Sequence, residues 1–331
     1  MATIALGLGT SHTPMLLASD ETLTRFIETD RLIKHHDREG RQVTYGELLE
    51  DADPRVANMV APAQLVERQN KARAAVQRLR KVLDGARLDA LIVFGDDQNE
   101  SYLEDCRPAF AIYYGDTIRN DTKQHRTYSH LPEWYIKNRA AFFERDQPRD
   151  YPVDGKLALH LIESLMDAEF DLAASKSLRP GEGEGHAIAY VHRHVMSADR
   201  PVPAVPLFIN TYYPPSQPRP QRCYRLGQAV RLAVESYPED IRVGVLASGG
   251  LSHFLVDEEF DRAILKACAD KDVAFLQRLP RNKLKGGSSE ILNWVALAGA
   301  TEHLDMNWFE YVPGYRTPAG TGTGMSFATW A

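Results

Sequence analysis

The sequence predicts an α/β protein whose helices cover both faces of a central sheet. Two observations carry that expectation. Short apolar runs close in polar or glycine-rich turns, as buried strands do, and long stretches with apolar residues three and four apart separate them. The composition agrees: 331 residues, 44% hydrophobic and 25% charged, suit a soluble globular chain with a large core.

Taken in order, strands are expected at 3–9 (TIALGLG), 89–94 (DALIVF), 109–114 (AFAIYY), 204–209 (AVPLFI) and 241–247 (IRVGVLA). Helical spacing is clearest at 62–83 and recurs at 155–168, 220–236, 257–278 and 288–300. Pro214, Pro215, Pro218 and Pro220 mark an extended loop before a helix starting near Gln221. Residues 1–331 read as one catalytic domain, with polar insertions or lids at about 20–60 and 115–152. The glycine-rich stretch 313–324 suits a mobile or interface-forming tail.

Charge and cysteine usage narrow the function. Lys+Arg 39 against Asp+Glu 45 leaves a net −6, which argues against nucleic acid or an anionic membrane as the main partner. Cys106, Cys223 and Cys268 form no CxxC pair, so neither a disulfide framework nor a thiolate zinc site is suggested. No apolar run approaches the roughly 18–20 residues of a membrane span. The N-terminus lacks a basic leader segment, and a cytoplasmic location is expected.

Four strand ends deliver polar groups where an open α/β sheet places its ligand: Ser11-His12, Asp96-Asp97-Gln98, Asn210-Thr211 and Ser252-His253. His12 follows a buried strand and is stiffened by Pro14; a neutral imidazole there suits iron, zinc or copper, or simply a hydrogen-bonded turn. His253, after Gly249-Gly250-Leu251-Ser252, is placed to shuttle protons near neutral pH, or to cap a helix. Glu290 follows Ser288-Ser289 at a helix start, where it either complements the helix dipole or turns to bind a metal. His186 lies in the loop Gly183-Glu184-Gly185, as a substrate contact or as surface. His192 and His194 read as an exposed polar face, and His35-His36 as solvated surface in a charged run. There is no GxGxxG after a strand, no GxxxxGK[ST], no HExxH and no GxSxG, so nucleotide, zincin and α/β-hydrolase readings lose ground.

Several motifs in order resemble the catalytic subunits of the class III extradiol ring-opening dioxygenases, of the protocatechuate 4,5-dioxygenase type. They are Gly9-Thr10-Ser11-His12-Thr13-Pro14, Gly95-Asp96-Asp97-Gln98, Pro108-Ala109-Phe110-Ala111-Ile112, Asn210-Thr211-Tyr212-Tyr213-Pro214-Pro215 with Arg222-Cys223, Gly249-Gly250-Leu251-Ser252-His253 and Gly287-Ser288-Ser289-Glu290. Within that family the chain is most similar to the single-chain 3-O-methylgallate and gallate dioxygenase branch. The match is weakest over 20–60 and 115–150.

The resemblance implies a three-layer α/β/α sandwich around a mixed sheet, non-haem Fe(II) as cofactor, and an aromatic substrate opened with O2. It makes His12 and Glu290 metal ligands, His253 the general base and His186 a group near the substrate. The second histidine ligand of the two-subunit enzymes falls on Gln98, a weaker and harder donor than imidazole. Asp96 or Asp97 is then available to turn in. Tyr212, Tyr213, Tyr315, Arg316 and Trp330 are candidate pocket residues, with Arg316 offered to a carboxylate. A homodimer is expected, with 115–152 or the C-terminal tail closing the site. Two other readings are a metal-dependent hydrolase on the same scaffold and a non-catalytic aromatic-binding relative that lost iron through Gln98.

Overall fold

The computed structural model describes residues 1–122 and 130–331; residues 123–129 of the expected 115–152 insertion lie outside the described part. Along the chain the strands are β1 (Thr3–Thr10), β2 (His35–His36), β3 (Gln42–Val43), β4 (Ala90–Asp96), β5 (Phe110–Tyr113), β6 (Thr117–Asn120), β7 (Arg149–Pro152), β8 (Ala173–Ser175), β9 (Ala204–Ile209), β10 (Arg242–Ser248), β11 (His253–Leu255), β12 (Met306–Tyr315) and β13 (Thr321–Trp330). Nine of them form one sheet in the order β11-β13-β1-β10-β4-β9-β5-β8, with β12 on the far edge of β13; β2/β3 and β6/β7 are separate hairpins.

The sheet is mixed. β1, β10, β4 and β9 run parallel to one another, whereas β13 is antiparallel to β1, β11 and β12, and β5 is antiparallel to β9. Both faces are covered, which makes three layers. Side chains alternate along each strand, so Ile92 and Phe94 of β4 join the core under helices 155–167, 220–235, 258–270 and 291–300. Leu91 and Val93 face the other way, into the core under helices 62–86 and 186–190. No helix among the described residues is long and apolar enough to cross a membrane.

The five expected strands and the expected helices are present, with instructive differences. The stretch 257–278 is two helices, Glu258–Asp270 and Val273–Gln277. Lys271 adopts a left-handed backbone (φ 56°) and the Asp272 side chain accepts from the Phe275 N–H, capping the second helix. The stretch 313–324 is no mobile tail: it lies in the hairpin β12/β13, and all ten residues of β13 are buried. β13 pairs along both edges and packs on both faces, so its Gly- and Thr-rich sequence carries no alternation to reveal it. His35 is not solvated surface; it is 1% exposed in β2 and its Nε2 meets the Asp30 carbonyl oxygen at 2.8 Å. His192 is also buried, stacked on Tyr151 at 4.2 Å with Nδ1 on the Glu184 carboxylate.

Candidate functional site

The parallel strands β1, β10, β4 and β9 all end at one edge of the sheet, and the chain turns there deliver the polar groups. His12 and Asp96 come from the ends of β1 and β4. His186 opens helix 186–190, and Glu290 closes a short 3-10 turn, Gly286–Glu290, that runs into helix 291–300. One ligating atom from each of these four residues lies within 4.8 Å of the others, and all four are buried. Atoms held about 2.0–2.2 Å from a common ion stand no more than about 4.4 Å apart, so small shifts suffice for a shared metal.

Hydrogen bonding fixes which imidazole atom is bare. The Ser248 hydroxyl donates its single proton to the Ala187 carbonyl at 2.8 Å. It therefore accepts from His12 Nδ1–H at 2.9 Å, which leaves a lone pair on His12 Nε2. That atom is 3.6 Å from Glu290 Oε2 and 3.8 Å from Asp96 Oδ1. Neither His12 Nε2 nor Asp96 Oδ1 finds a hydrogen-bond partner among the described residues. Buried polar atoms are rarely left so. Two unsatisfied lone-pair atoms facing each other beside a carboxylate fit a cation.

Electrostatics points the same way. Burial pushes His12 down to about 3, so it stays neutral and able to ligate. Burial, then the charge of Glu290, raises Asp96. Burial would raise Glu290 as well, but the neighbouring imidazoles, His253 first, outweigh it and hold the carboxyl low. His253 and His186 are both raised: burial opposes their charge, and the carboxylates of Glu290 and Glu100 respectively overcome it. A proton and a metal compete for such lone pairs, so metal uptake releases protons.

His253 stands beside the four. Its Nδ1–H donates to the Leu251 carbonyl at 2.8 Å, and its Nε2 is 3.1 Å from Glu290 Oε1. Ser288 clamps its backbone at both ends, accepting from the N–H at 2.9 Å and donating to the carbonyl at 2.8 Å. Gly287 makes room for the ring; a Cβ there would lie 1.9 Å from His253 Cδ2. Glu290 also accepts from the Tyr212 hydroxyl at 3.0 Å and the Gly250 N–H at 2.8 Å. The serines before Glu290 thus hold the turn, and its carboxylate faces the cluster.

These groups floor a cavity of about 390 Å³. Tyr135, Phe142, Tyr212, Tyr213 and Phe254 give it aromatic walls, and Lys34, Arg139 and Arg316 bring positive charge. Segments 20–60 and 115–152 supply much of the rim: Thr29, Asp30, Ile33 and Lys34 from one, His130, Leu131, Tyr135, Arg139 and Phe142 from the other.

Other expected site residues fall elsewhere. Gln98 lines the cavity, and its Nε2 donates to Asp96 Oδ2 at 3.4 Å. Asp97 turns away and accepts the backbone N–H groups of Glu100, Ser101 and Tyr102. Asn210 closes its own loop through Tyr213 and Ser216. Arg316 reaches the cavity wall, yet its Nε and Nη2 are held by Asp30 at 2.8 and 2.7 Å. Tyr315 bonds Glu258, and Trp330 packs near Trp294; neither lines the cavity. The sequence reading missed Glu100, Lys34, Tyr135, Arg139 and Phe142, none of which carries a motif of its own.

This arrangement, a buried imidazole–carboxylate cluster at the sheet edge under an aromatic cavity, is a candidate metal centre. Residues 56–326 match the family described as the catalytic LigB subunit of aromatic ring-opening dioxygenase, and the chain belongs to that family. Among curated relatives it is 33% identical over 198 residues to a gallate dioxygenase of Pseudomonas putida, covering 54% of this chain and 55% of the relative. It is 36% identical over 101 residues to a 2,3-dihydroxyphenylpropionate/2,3-dihydroxicinnamic acid 1,2-dioxygenase of Comamonas testosteroni, covering 30% of each. The aligned parts therefore span about half or less of those relatives. A solved structure of an uncharacterized protein from Escherichia coli K12 aligns over 76% of this chain and 91% of that one, at TM-score 0.44 and 13% identity.

Proposed function

We propose that the chain is a non-haem Fe(II) extradiol dioxygenase that opens the ring of a catechol-type aromatic acid, of the 3-O-methylgallate, gallate or protocatechuate kind, with O2. The observation that carries this reading is the convergence of His12, Asp96, His186 and Glu290 with His253 beneath one aromatic cavity. Family membership supports ring opening.

His12 and Glu290 are the ligands on which the resemblance and the cluster agree. When bound, such a metal supplies Lewis acidity toward a phenol and a route for electrons to O2. The chain does the rest. Its aromatic walls sandwich a ring and exclude water, and Lys34 and Arg139 complement a carboxylate. His253 has Nδ1–H tied to Leu251, so Nε2 is the atom that takes a phenolic proton and returns it. Tyr212 keeps Glu290 oriented.

The test is anaerobic Fe(II) loading followed by O2 uptake on a panel of catecholic and O-methylated aromatic acids. Uptake matched by a ring-opened product is expected. No uptake with any member, with Fe(II) bound, overturns the reading. Turnover under strict anaerobiosis with a redox-inert metal would favour a hydrolase instead. A cytoplasmic homodimer completes the proposal by resemblance, and sizing of the purified chain tests the dimer.

A further inference from the structure

The resemblance assigns the second imidazole ligand to the position of Gln98, which cannot supply one. We propose that His186 supplies it, that the buried carboxylate of Glu100 orients it, and that Asp96 rather than Gln98 adds the further oxygen donor. The inference rests on the reading above only for the presence of a metal, not for ring opening.

Glu100 and His186 are each 1% exposed. Both carboxylate oxygens of Glu100 are used on this one residue: Oε1 accepts the His186 backbone N–H at 3.0 Å, and Oε2 accepts Nδ1–H at 2.8 Å. Two bonds to one residue set both the ring direction and the tautomer. The bare atom is Nε2, 3.8 Å from Asp96 Oδ2. Gly185 is what lets the carboxylate approach, since a Cβ there would come 2.5 Å from Glu100 Oε2.

His12 is built to the same plan from the opposite side, with Ser248 in place of Glu100. The two rings meet edge to face, 4.7 Å between centres and 84° between planes. Asp96 spans them, one oxygen 3.8 Å from each Nε2. Gln98 does not compete: it is half-buried, neutral, and directs its N–H₂ at Asp96. A carboxylate–histidine–metal relay raises the basicity of the ligating nitrogen, and loss of the outer carboxylate typically weakens metal binding about 10–100-fold. Glu100 is thus a positioning residue, and the chain holds its metal with two imidazoles and two carboxylates.

The experiment loads the full-length chain anaerobically with Co(II) and counts hyperfine-shifted exchangeable N–H signals by NMR, one for each coordinated imidazole with a protonated Nδ1. Two signals are expected in the natural chain and in Gln98→Ala, and one in His186→Ala. Glu100→Gln should weaken Co(II) binding about 10–100-fold by titration, whereas Gln98→Ala should stay within about threefold. Two signals in a folded His186→Ala, or unchanged affinity in Glu100→Gln, overturns the proposal. If His186→Ala fails to fold, the Glu100→Gln and Gln98→Ala titrations decide alone. Two signals in a chain that consumes no O2 would uphold this ligand set and sink only the ring-opening reading.

Discussion

At the scale of single residues, the site is a set of imidazoles whose protons are assigned by their neighbours. His253 is the one whose Nε2 faces both Glu290 and the cavity. His253→Phe keeps an aromatic ring in place but removes the proton carrier. Metal content should be unchanged, and kcat should fall about 10²–10⁴-fold, the usual worth of a general acid–base. Metal analysis beside steady-state kinetics checks both halves; an unaltered kcat would remove His253 from the mechanism. Gly287→Ala attacks the same group indirectly. The new methyl would overlap the His253 ring, so the ring must move, and loss of activity with retained thermal stability is expected. A second histidine speaks to pH. Burial lowers His194 to about 4, although its bond to the Ala141 carbonyl pulls the other way. The folded value lies below the ordinary 6.5. Between pH of about 6.5 and 4 the unfolded chain binds a proton that the folded one refuses, so stability falls as pH drops through that window. His194→Gln should lose less stability than the natural chain between pH 7 and pH 4.5 in urea titrations.

At the scale of elements, legibility depended on whether a strand's burial left a mark in the sequence. β1, β4, β9 and β10 are central and parallel, and read as unbroken apolar runs ending in polar turns. The same turns make His12 and His253 visible as candidates, whereas Glu290 is visible only as an acid at a helix start. β13 is equally buried but is written mostly in Gly, Thr, Ser and Ala, and only its long-range pairing with β1, β11 and β12 makes it a strand. Glu100 was invisible for a related reason: an acid four residues past the end of β4 acquires meaning only when helix 186–190 is docked against it. Gln98 drew the eye because the motif pointed there, while the spatial neighbour of His12 is a histidine about ninety residues further on. The weight of β13 in the fold can be measured. Phe327 is fully buried in the core beneath helix 62–86. Phe327→Ala should cost about 3–5 kcal/mol, the range for deleting a buried aromatic, read from the urea midpoint at constant slope. A cost under about 1 kcal/mol would mean that β13 is peripheral.

At the scale of the molecule, the question is what joins the polar insertion 20–60 to the sheet that carries the chemistry. The answer runs through Asp30 at the end of helix Phe26–Asp30. Asp30 and Arg316 are buried and paired through two bonds, at 2.8 and 2.7 Å, and the Thr321 hydroxyl donates to the same carboxylate. Arg316 lies just past β12 and Thr321 opens β13. The tie therefore fastens the insertion to the hairpin, and Thr29, Asp30, Ile33 and Lys34 line the cavity as a result. The ring faces of Phe26 and Phe254 flank the guanidinium of the same arginine, at 5.2 and 5.6 Å. Breaking one half leaves a buried charge without its partner, which costs about 3–5 kcal/mol where the pair is desolvated. Asp30→Asn should do so, and because Asp30 is itself on the cavity wall it should also raise KM for an aromatic acid. Arg316→Met in the Asp30→Asn background removes the stranded charge, and should recover part of the stability without restoring KM. Stability and KM recovering together would show that the tie acts only on folding and leaves the cavity wall unchanged.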